Sequence, residues 1–306
     1  MKKMQRVTML RTATAGAVAV ALSGAFTPGA HAAAGQVGYA GRASRASQAA
    51  GSAGAVRGLD ISAYQHAGST INWQRLARDG LRFVSIKAAE GTYYRNPFYV
   101  ADARAAAAAG LAVLPYVFAN PAGGGGEPTA RFGVKAASAA RGAARLPLVV
   151  DLENDPYKKN RDCWGRSVQA IRGWIGGFLN QAHALTGHWP IIYTTAAWWQ
   201  ECTGATRQFQ HDPLWLAAFG KAPGAVPAPW SQWAFWQYDD NGALPGIGPV
   251  DLDYYRPTNG LPSLNPAKHK HARPRRKQAT RKQATRKQAR HKQAKKTAKP
   301  RPKHQR

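Results

Sequence analysis

Four short acid-bearing segments are the part of this 306-residue sequence closest to chemistry. They are Gly58-Leu59-Asp60-Ile61-Ser62, Ile86-Lys87-Ala88-Ala89-Glu90-Gly91, Val150-Asp151-Leu152-Glu153-Asn154 and Val250-Asp251-Leu252-Asp253-Tyr254. Each sets carboxylates at the end of an apolar, strand-like run. The chain holds only 15 acids, so their concentration there is not what solvated helix faces would produce. Taken singly, any one of them is better read as a helix cap or a loop ion pair, but the set is not. Asp151 and Glu153 form the sharpest pair, because residues i and i+2 of a strand point to the same side. Two carboxylates in close quarters do not both ionise cheaply, and one pKa rises. A protonated acid beside an ionised partner is what cleavage of a glycosidic bond needs. Glu153 has the longer reach and is expected to be the general acid. Asp151 is then its partner, with Asp60 and Asp251 completing a ring around the scissile bond.

Aromatic residues stand beside these acids: Tyr64, Tyr93, Tyr94, Tyr116, Phe118, Tyr157, Tyr193, Trp215, Trp236 and Tyr238. Their faces suit the C–H faces of sugar rings. Glu90, Tyr64, Tyr93, Tyr116, Tyr193, Trp215 and Trp236 are therefore the expected substrate-binding set, although Trp215 and Trp236 read equally well as core. Carboxylates are hard oxygen ligands for divalent cations, but the aromatic surroundings argue against that use. Neither a metal nor a cofactor is expected.

The elements that must position these residues are short, β-branched and separated by helical stretches. Strand-like runs cover Val56–Ile61, Phe83–Lys87, Leu111–Phe118, Leu148–Leu152, Pro190–Thr194, Leu214–Ala218, Ala234–Tyr238 and Val250–Tyr254. Helical patterns cover Asn72–Arg78, Pro97–Ala109, Ala130–Ala144 and Ser167–Thr186. Apolar strands alternating with amphipathic helices predict an α/β fold built on a parallel sheet. Eight strands are the number that closes a β/α barrel of the TIM type, whose functional side chains sit at the C-terminal strand ends. The last connections look too short for full helices, so the final part is expected to be irregular. A doubly wound open sheet is the competing fold, but no glycine fingerprint follows the first strand. The Gly123–Gly126 run lacks the Lys-Ser/Thr of a phosphate-binding loop and reads as a barrel loop.

Outside residues 57–260 the composition changes. Residues 1–34 run from a basic stretch through the apolar Ala13–Phe26 to Ala30-His31-Ala32-Ala33-Ala34, the order of a secretory signal peptide. Its apolar run falls short of the ~20 residues that span a bilayer, and no other stretch is long and apolar enough. Residues 35–56 are Gly, Ala, Ser, Gln and Arg, and read as a disordered linker or pro-region. Residues 261–306 form a basic tail with 18 Lys or Arg and no acid after Lys268. Between Arg57 and Arg256 there are 19 basic and 15 acidic residues. The formal charge of +28 thus belongs mainly to the ends and says little about the fold. From Arg276 the tail repeats every five residues as Arg-Lys-Gln-Ala-Thr. That step advances about 140° beyond a full helical turn and paints no single face, so disorder is expected. Such a tail suits retention on anionic wall polymers such as teichoic acids. It would also bind nucleic acid through phosphates, incidentally in an exported protein. In an exported chain the lone pair Cys163 and Cys202 is most simply a disulfide, against two free thiols or one catalytic thiol.

At these same residues the sequence resembles glycoside hydrolase family 25, the Chalaropsis-type lysozymes or N-acetylmuramidases. The resemblance is carried by Gly58–Ser62, Asn72-Trp73, Phe83–Thr92, Val150–Glu153, Trp236-Gln237-Tyr238 and Val250–Asp253. It implies a modified β/α barrel with an irregular last part. It also implies hydrolysis of the β-1,4 bond between N-acetylmuramic acid and N-acetylglucosamine in peptidoglycan, and a monomer is expected. By that resemblance Glu153 is the proton donor, Asp151 its partner, and Asp60 and Asp251 the two further acids, with Glu90 shaping the groove. One departure is Phe118, where the family usually has His. A non-catalytic wall-binding barrel is the alternative, and the retention of all four acids argues against it.

Overall fold

The computed structural model describes residues 54–66, 70–144, 146–159, 161–256 and 261. The expected signal peptide, all but the last residues of the linker and nearly all of the basic tail lie outside the described residues. Among the described residues nine strands form: β1 (Val56–Ile61), β2 (Phe83–Glu90), β3 (Tyr94–Arg95), β4 (Ala112–Phe118), β5 (Val149–Asp151), β6 (Ile191–Thr195), β7 (Leu214–Ala217), β8 (Phe235–Leu244) and β9 (Ile247–Tyr255). All except β3 close into an eight-stranded barrel in which β1 pairs with both β2 and β9. β3 only extends β2, antiparallel to it. Five α-helices accompany the strands: α1 (Trp73–Arg78), α2 (Tyr99–Ala108), α3 (Gly126–Ser138), α4 (Val168–Thr186) and α5 (Ala196–Thr203). Each of the eight strand-like runs read from the sequence is a barrel strand.

Local chemistry explains where the helices start and stop. Asn72 Oδ1 accepts the Arg75 amide at 2.9 Å, Ser167 caps α4 and Thr195 caps α5 through its hydroxyl. Gly187 and Gly204 end α4 and α5 in the left-handed conformation. The Thr195 and Gly204 signals mark a helix between β6 and β7, where the apolar pattern alone predicts only a short, irregular connection. No helix joins β7 to β8.

Strand direction differs from expectation at the end. The strands from β1 through β8, β3 aside, pair in parallel, but β9 runs antiparallel to both β8 and β1. The cause is the connection, since only two residues separate Leu244 from Ile247. A parallel return needs a crossover of a dozen or more residues. Asp251 therefore reaches the C-terminal rim of its neighbours from the middle of β9, opposite Asp60. The expectation that it ends a parallel eighth strand is corrected in direction, though not in place.

The core has two parts. Phe83, Leu114, Val149, Ile191, Trp215, Phe235 and Tyr255 pack as one cluster with Tyr116 and Tyr193. They occupy alternate positions on their strands, as the filled interior of a small barrel requires. The intervening residues, such as Val84, Val113, Val150, Ile192, Leu216 and Trp236, join the helices in the outer core. Two glycines set backbone approach. A Cβ at Gly58 would lie 2.4 Å from the Phe83 ring, and one at Gly126 would lie 1.9 Å from the Trp174 carbonyl oxygen. The Gly123–Gly126 run thus brings α3 onto α4.

Cys163 and Cys202 form a disulfide. It ties the 3-10 turn Asp162–Gly165 to α5. In that turn Cys163 and Trp164 both hold left-handed φ values, 50° and 59°, each costing on the order of 1–3 kcal/mol without a glycine. The strained turn buries Trp164, whose indole Nε1 donates to the Glu153 carbonyl at 2.8 Å. The disulfide thereby braces the backbone of an acid. Closing a loop of this length contributes roughly 3–4 kcal/mol. Cys163→Ser with Cys202→Ser should lose about that much in urea unfolding monitored by tryptophan fluorescence. An unchanged midpoint would show that the cross-link does not stabilise the barrel.

Candidate active site

A cavity of about 320 Å³ opens at the C-terminal ends of the parallel strands. Asp60, Asp151, Glu153 and Asp251 all line it, together with Lys87, Tyr116, Tyr193, Trp215 and Gln237. A larger groove of about 550 Å³ between α3 and α4 holds none of these acids, so size does not select the site. Alternation delivers the side chains. Lys87, Tyr116, Asp151, Tyr193 and Gln237 share the interior parity of their strands, and Glu153 continues the parity of β5 just beyond its end.

Burial governs the charges. The Asp151 and Glu153 carboxyls stand close enough for each to shift the other's pKa. Burial pushes Glu153 up to about 7, against the pull of the Lys87 ammonium and the Asp151 hydrogen bond. Asp151 is driven well above the carboxylate range by burial and by the charge of Glu153. Near neutral pH the pair therefore shares a proton. Asp151 lines the cavity, and its Oδ1 is buried and accepts no hydrogen bond. Asp60 rises to about 6 by burial, opposed by hydrogen bonds from Gln237, Asp253 and Asp251. The Gln237 Nε2–Asp60 Oδ2 bond is 2.7 Å, and the Tyr193 hydroxyl orients that amide by donating to Gln237 Oε1 at 2.8 Å. Asp251 is pushed up to about 9 by burial and by the charge of Asp60.

A second cluster lies at the rim. Lys87 Nζ donates to Glu90 Oε2 at 2.6 Å, and the Tyr93 and Tyr157 hydroxyls each donate to Glu90 Oε1 at 2.5 Å. Burial alone would raise Glu90, but the Lys87 charge and these hydrogen bonds outweigh it and hold its carboxyl below its ordinary value. Lys87 also stands 4.5 Å above the Phe118 ring. The rings of Tyr64, Tyr93 and Tyr157 are at least half exposed, as a sugar-stacking surface requires.

The scan against family models decides the identity: residues 59–247 match the model described as "Glycosyl hydrolases family 25". The chain belongs to glycosyl hydrolase family 25. Lysozyme M1 of Streptomyces globisporus is 34% identical over 203 residues, 65% of this chain and 67% of that protein. The N,O-diacetylmuramidase of Chalaropsis sp is 36% identical over 197 residues, 62% of this chain and 91% of that one. Among solved structures, a family 25 lysozyme from Aspergillus fumigatus superposes with a TM-score of 0.61 at 35% identity, covering 67% of this chain and 95% of its own. A bacterial lysozyme from Streptomyces coelicolor gives 0.60 at 34% identity, covering 67% and 93%. The protein is thus a glycoside hydrolase on a modified barrel.

For this family 25 hydrolase, the structure brings together the four acids singled out in the sequence, with Tyr64, Tyr116 and Tyr193 around them. Glu90 and Tyr93 stand beside the cavity rather than in its wall. Trp215 lines the cavity but is 2% exposed, and its indole N–H is taken by Asp253 at 3.0 Å. Trp236 is a correction. It is fully buried in the outer core, donates to the Ala218 carbonyl and meets no substrate, because it sits one position out of interior parity. Lys87, Gln237 and Asp253 were not singled out as site residues, although all lie within the quoted motifs. Parity was the available signal: Gln237 is the polar residue between two outward aromatics.

Three of these cavity acids titrate at about 6, 7 and 9 for Asp60, Glu153 and Asp251. Above pH ~4 the folded chain therefore keeps protons that the unfolded chain has released, and stability falls as pH rises. His211, lowered by burial and by His183, opposes this only below its ordinary value. The melting temperature should drop between roughly pH 5 and pH 9. Asp151→Asn should raise it and flatten the slope. A melting temperature that climbs over this range would contradict the protonated cluster.

Proposed function

We propose that the protein is an exported lysozyme that cuts the β-1,4 bond between N-acetylmuramic acid and N-acetylglucosamine in peptidoglycan. Family membership supplies the hydrolase chemistry, and the names of the relatives, lysozyme and N,O-diacetylmuramidase, support the substrate class. The observation that carries the mechanism is the approach of the Asp151 and Glu153 carboxyls, which line one cavity close enough for each to shift the other's pKa. Carboxyls this close leave no room for the water that an inverting pair needs between them, and cannot straddle a sugar ring as a nucleophile–acid pair does. They suit attack by the substrate's own 2-acetamido group instead.

In that reaction the acetamido carbonyl oxygen bonds to the anomeric carbon as the glycosidic C–O bond breaks. Glu153 gives its proton to the departing oxygen. The Asp151 carboxyl accepts the acetamido N–H and orients it. Water then attacks the anomeric carbon, Glu153 takes one of its protons, and the cyclic intermediate reopens to the sugar with retained configuration. Ionised Asp60 offsets the positive charge that develops at the ring. Tyr64 and Tyr93 supply stacking faces at the rim.

Glu153→Gln should lower the release of reducing ends from purified peptidoglycan by about 10²–10⁴-fold. Mass spectrometry of wild-type digests should find the new reducing ends on muramic acid. Release from the wild type of N-acetylglucosamine ends, or of no sugar, would refute the reading.

The basic tail is assigned to retention on anionic wall polymers, after export directed by residues 1–34. Its charge density and the absence of acids after Lys268 support electrostatic rather than shape-specific binding. Removing residues 266–306 should reduce co-sedimentation with intact walls at low salt, erase most of the salt dependence, and leave turnover of soluble glycan unchanged. Equal sedimentation of the two proteins would leave the tail without this role.

A further inference from the structure

Beneath the cavity lies one acid that the reaction above does not use. Asp253 follows Asp251 by two positions on β9 and shares its inward face, paired across the sheet with Gly58 and Gln237. It has no exposed surface and does not line the cavity, so no substrate group reaches it. Two neighbours hold it. Trp215 Nε1 donates to Oδ1 at 3.0 Å, and Asp60, diagonally across the β1–β9 pair on the same face, is close enough to shift its pKa. Oδ2 receives no donor.

Two buried carboxyl groups this close need a proton between them, and the surroundings decide which one carries it. Asp60 already accepts from Gln237 Nε2 at 2.7 Å and from Asp251, and it borders the water of the cavity. It can hold a negative charge. Asp253 has one indole donor and no water, and a carboxylate oxygen at zero exposure without a donor costs several kcal/mol. A proton on that carboxyl removes the cost and turns it into a donor. We infer that Asp253 is a neutral carboxylic acid whose proton is donated to Asp60, a positioning residue that keeps Asp60 ionised and aimed at the reacting sugar.

Burial followed by the charges of Asp60 and Asp251 drives Asp253 well above the carboxylate range, in the same sense. The chain of contacts runs from Trp215 to Asp253 to Asp60, with Tyr193 and Gln237 fixing the other side of Asp60. The charge so held also raises Asp151 and Glu153, which helps the acid pair keep its proton. An ionised Asp253 would do the opposite to Asp60, forcing it to take up the proton and lose its charge.

This inference rests on the lysozyme reading, and the test separates the two, because wild-type turnover judges the reading alone. In full-length protein, Asp253→Asn preserves both contacts: its carbonyl oxygen accepts from Trp215 and its amide donates to Asp60. It should keep kcat within about 3-fold of wild type, a rescue by the conservative variant. Asp253→Ala should lower kcat by about 10–100-fold, as loss of a supporting hydrogen bond does, with KM little changed. Asparagine as damaging as alanine would mean that a carboxylate is required and would overturn the inference. Full activity in both variants would overturn it equally. Should the alanine variant not fold, carbon-13 NMR of aspartate-labelled wild type decides. The Asp253 carboxyl resonance, assigned by its loss in Asp253→Asn, should keep its neutral-acid shift at pH 7, and a carboxylate shift there would overturn the inference.

Discussion

Five carboxyl groups gather at one end of the barrel, Asp60, Asp151 and Asp253 buried and Glu153 and Asp251 partly buried. Among the described residues the ammonium beside them is that of Lys87, already engaged by Glu90. An unpaired ionised carboxylate is among the most expensive groups to bury, and neighbouring ones repel. Protons rather than cations must neutralise most of this charge. The capacity to give up a proton to a leaving oxygen is then a consequence of where the fold puts its acids. No separate activating device is needed.

That arrangement survives because apolar side chains seal it from below and bracing holds it from the side. Phe83, Trp215, Phe235 and Tyr255 fill the barrel beneath the acids, so solvent reaches the cluster only through the mouth. At the side, the strained Cys163–Trp164 turn is held by the disulfide and in turn holds the Glu153 carbonyl. At the rim, Tyr93 and Tyr157 fix Glu90, which fixes Lys87. The cation thus stays at a set position relative to the acid pair, close enough to temper both pKa values without discharging either.

The sequence made these relations legible to different depths. Eight strands and four acids stood out because apolar runs and strand-end carboxylates are local patterns. The Asp151–Glu153 pair followed from two-residue periodicity alone. The same periodicity, applied to β8, would have turned Trp236 outward and Gln237 inward. The aromatic character of Trp236 overrode it in the reading, since an aromatic fits a core and a sugar site equally well. Other features were beyond any local pattern. The reversal of β9 depends on the two-residue connection after Leu244 seen against a closed sheet. The roles of Lys87 and Asp253 depend on which groups meet across the barrel.

The reversal of β9 has a chemical side. On a strand that enters from the mouth, Asp251 is met first and Asp253 comes one layer deeper, so one strand supplies a rim acid and a buried one. Gly58, opposite Asp253 on β1, has no side chain, and the space is taken by the Phe83 ring. A larger residue at position 58 would push that ring away and open the layer around Asp253. Water let in there would supply the donor that Oδ2 lacks and favour an ionised Asp253, to the detriment of the charge on Asp60. Packing in the barrel interior and proton placement at its mouth are in this way a single constraint, and a substitution that keeps every acid in place can still disturb the chemistry by loosening the apolar layer beneath them.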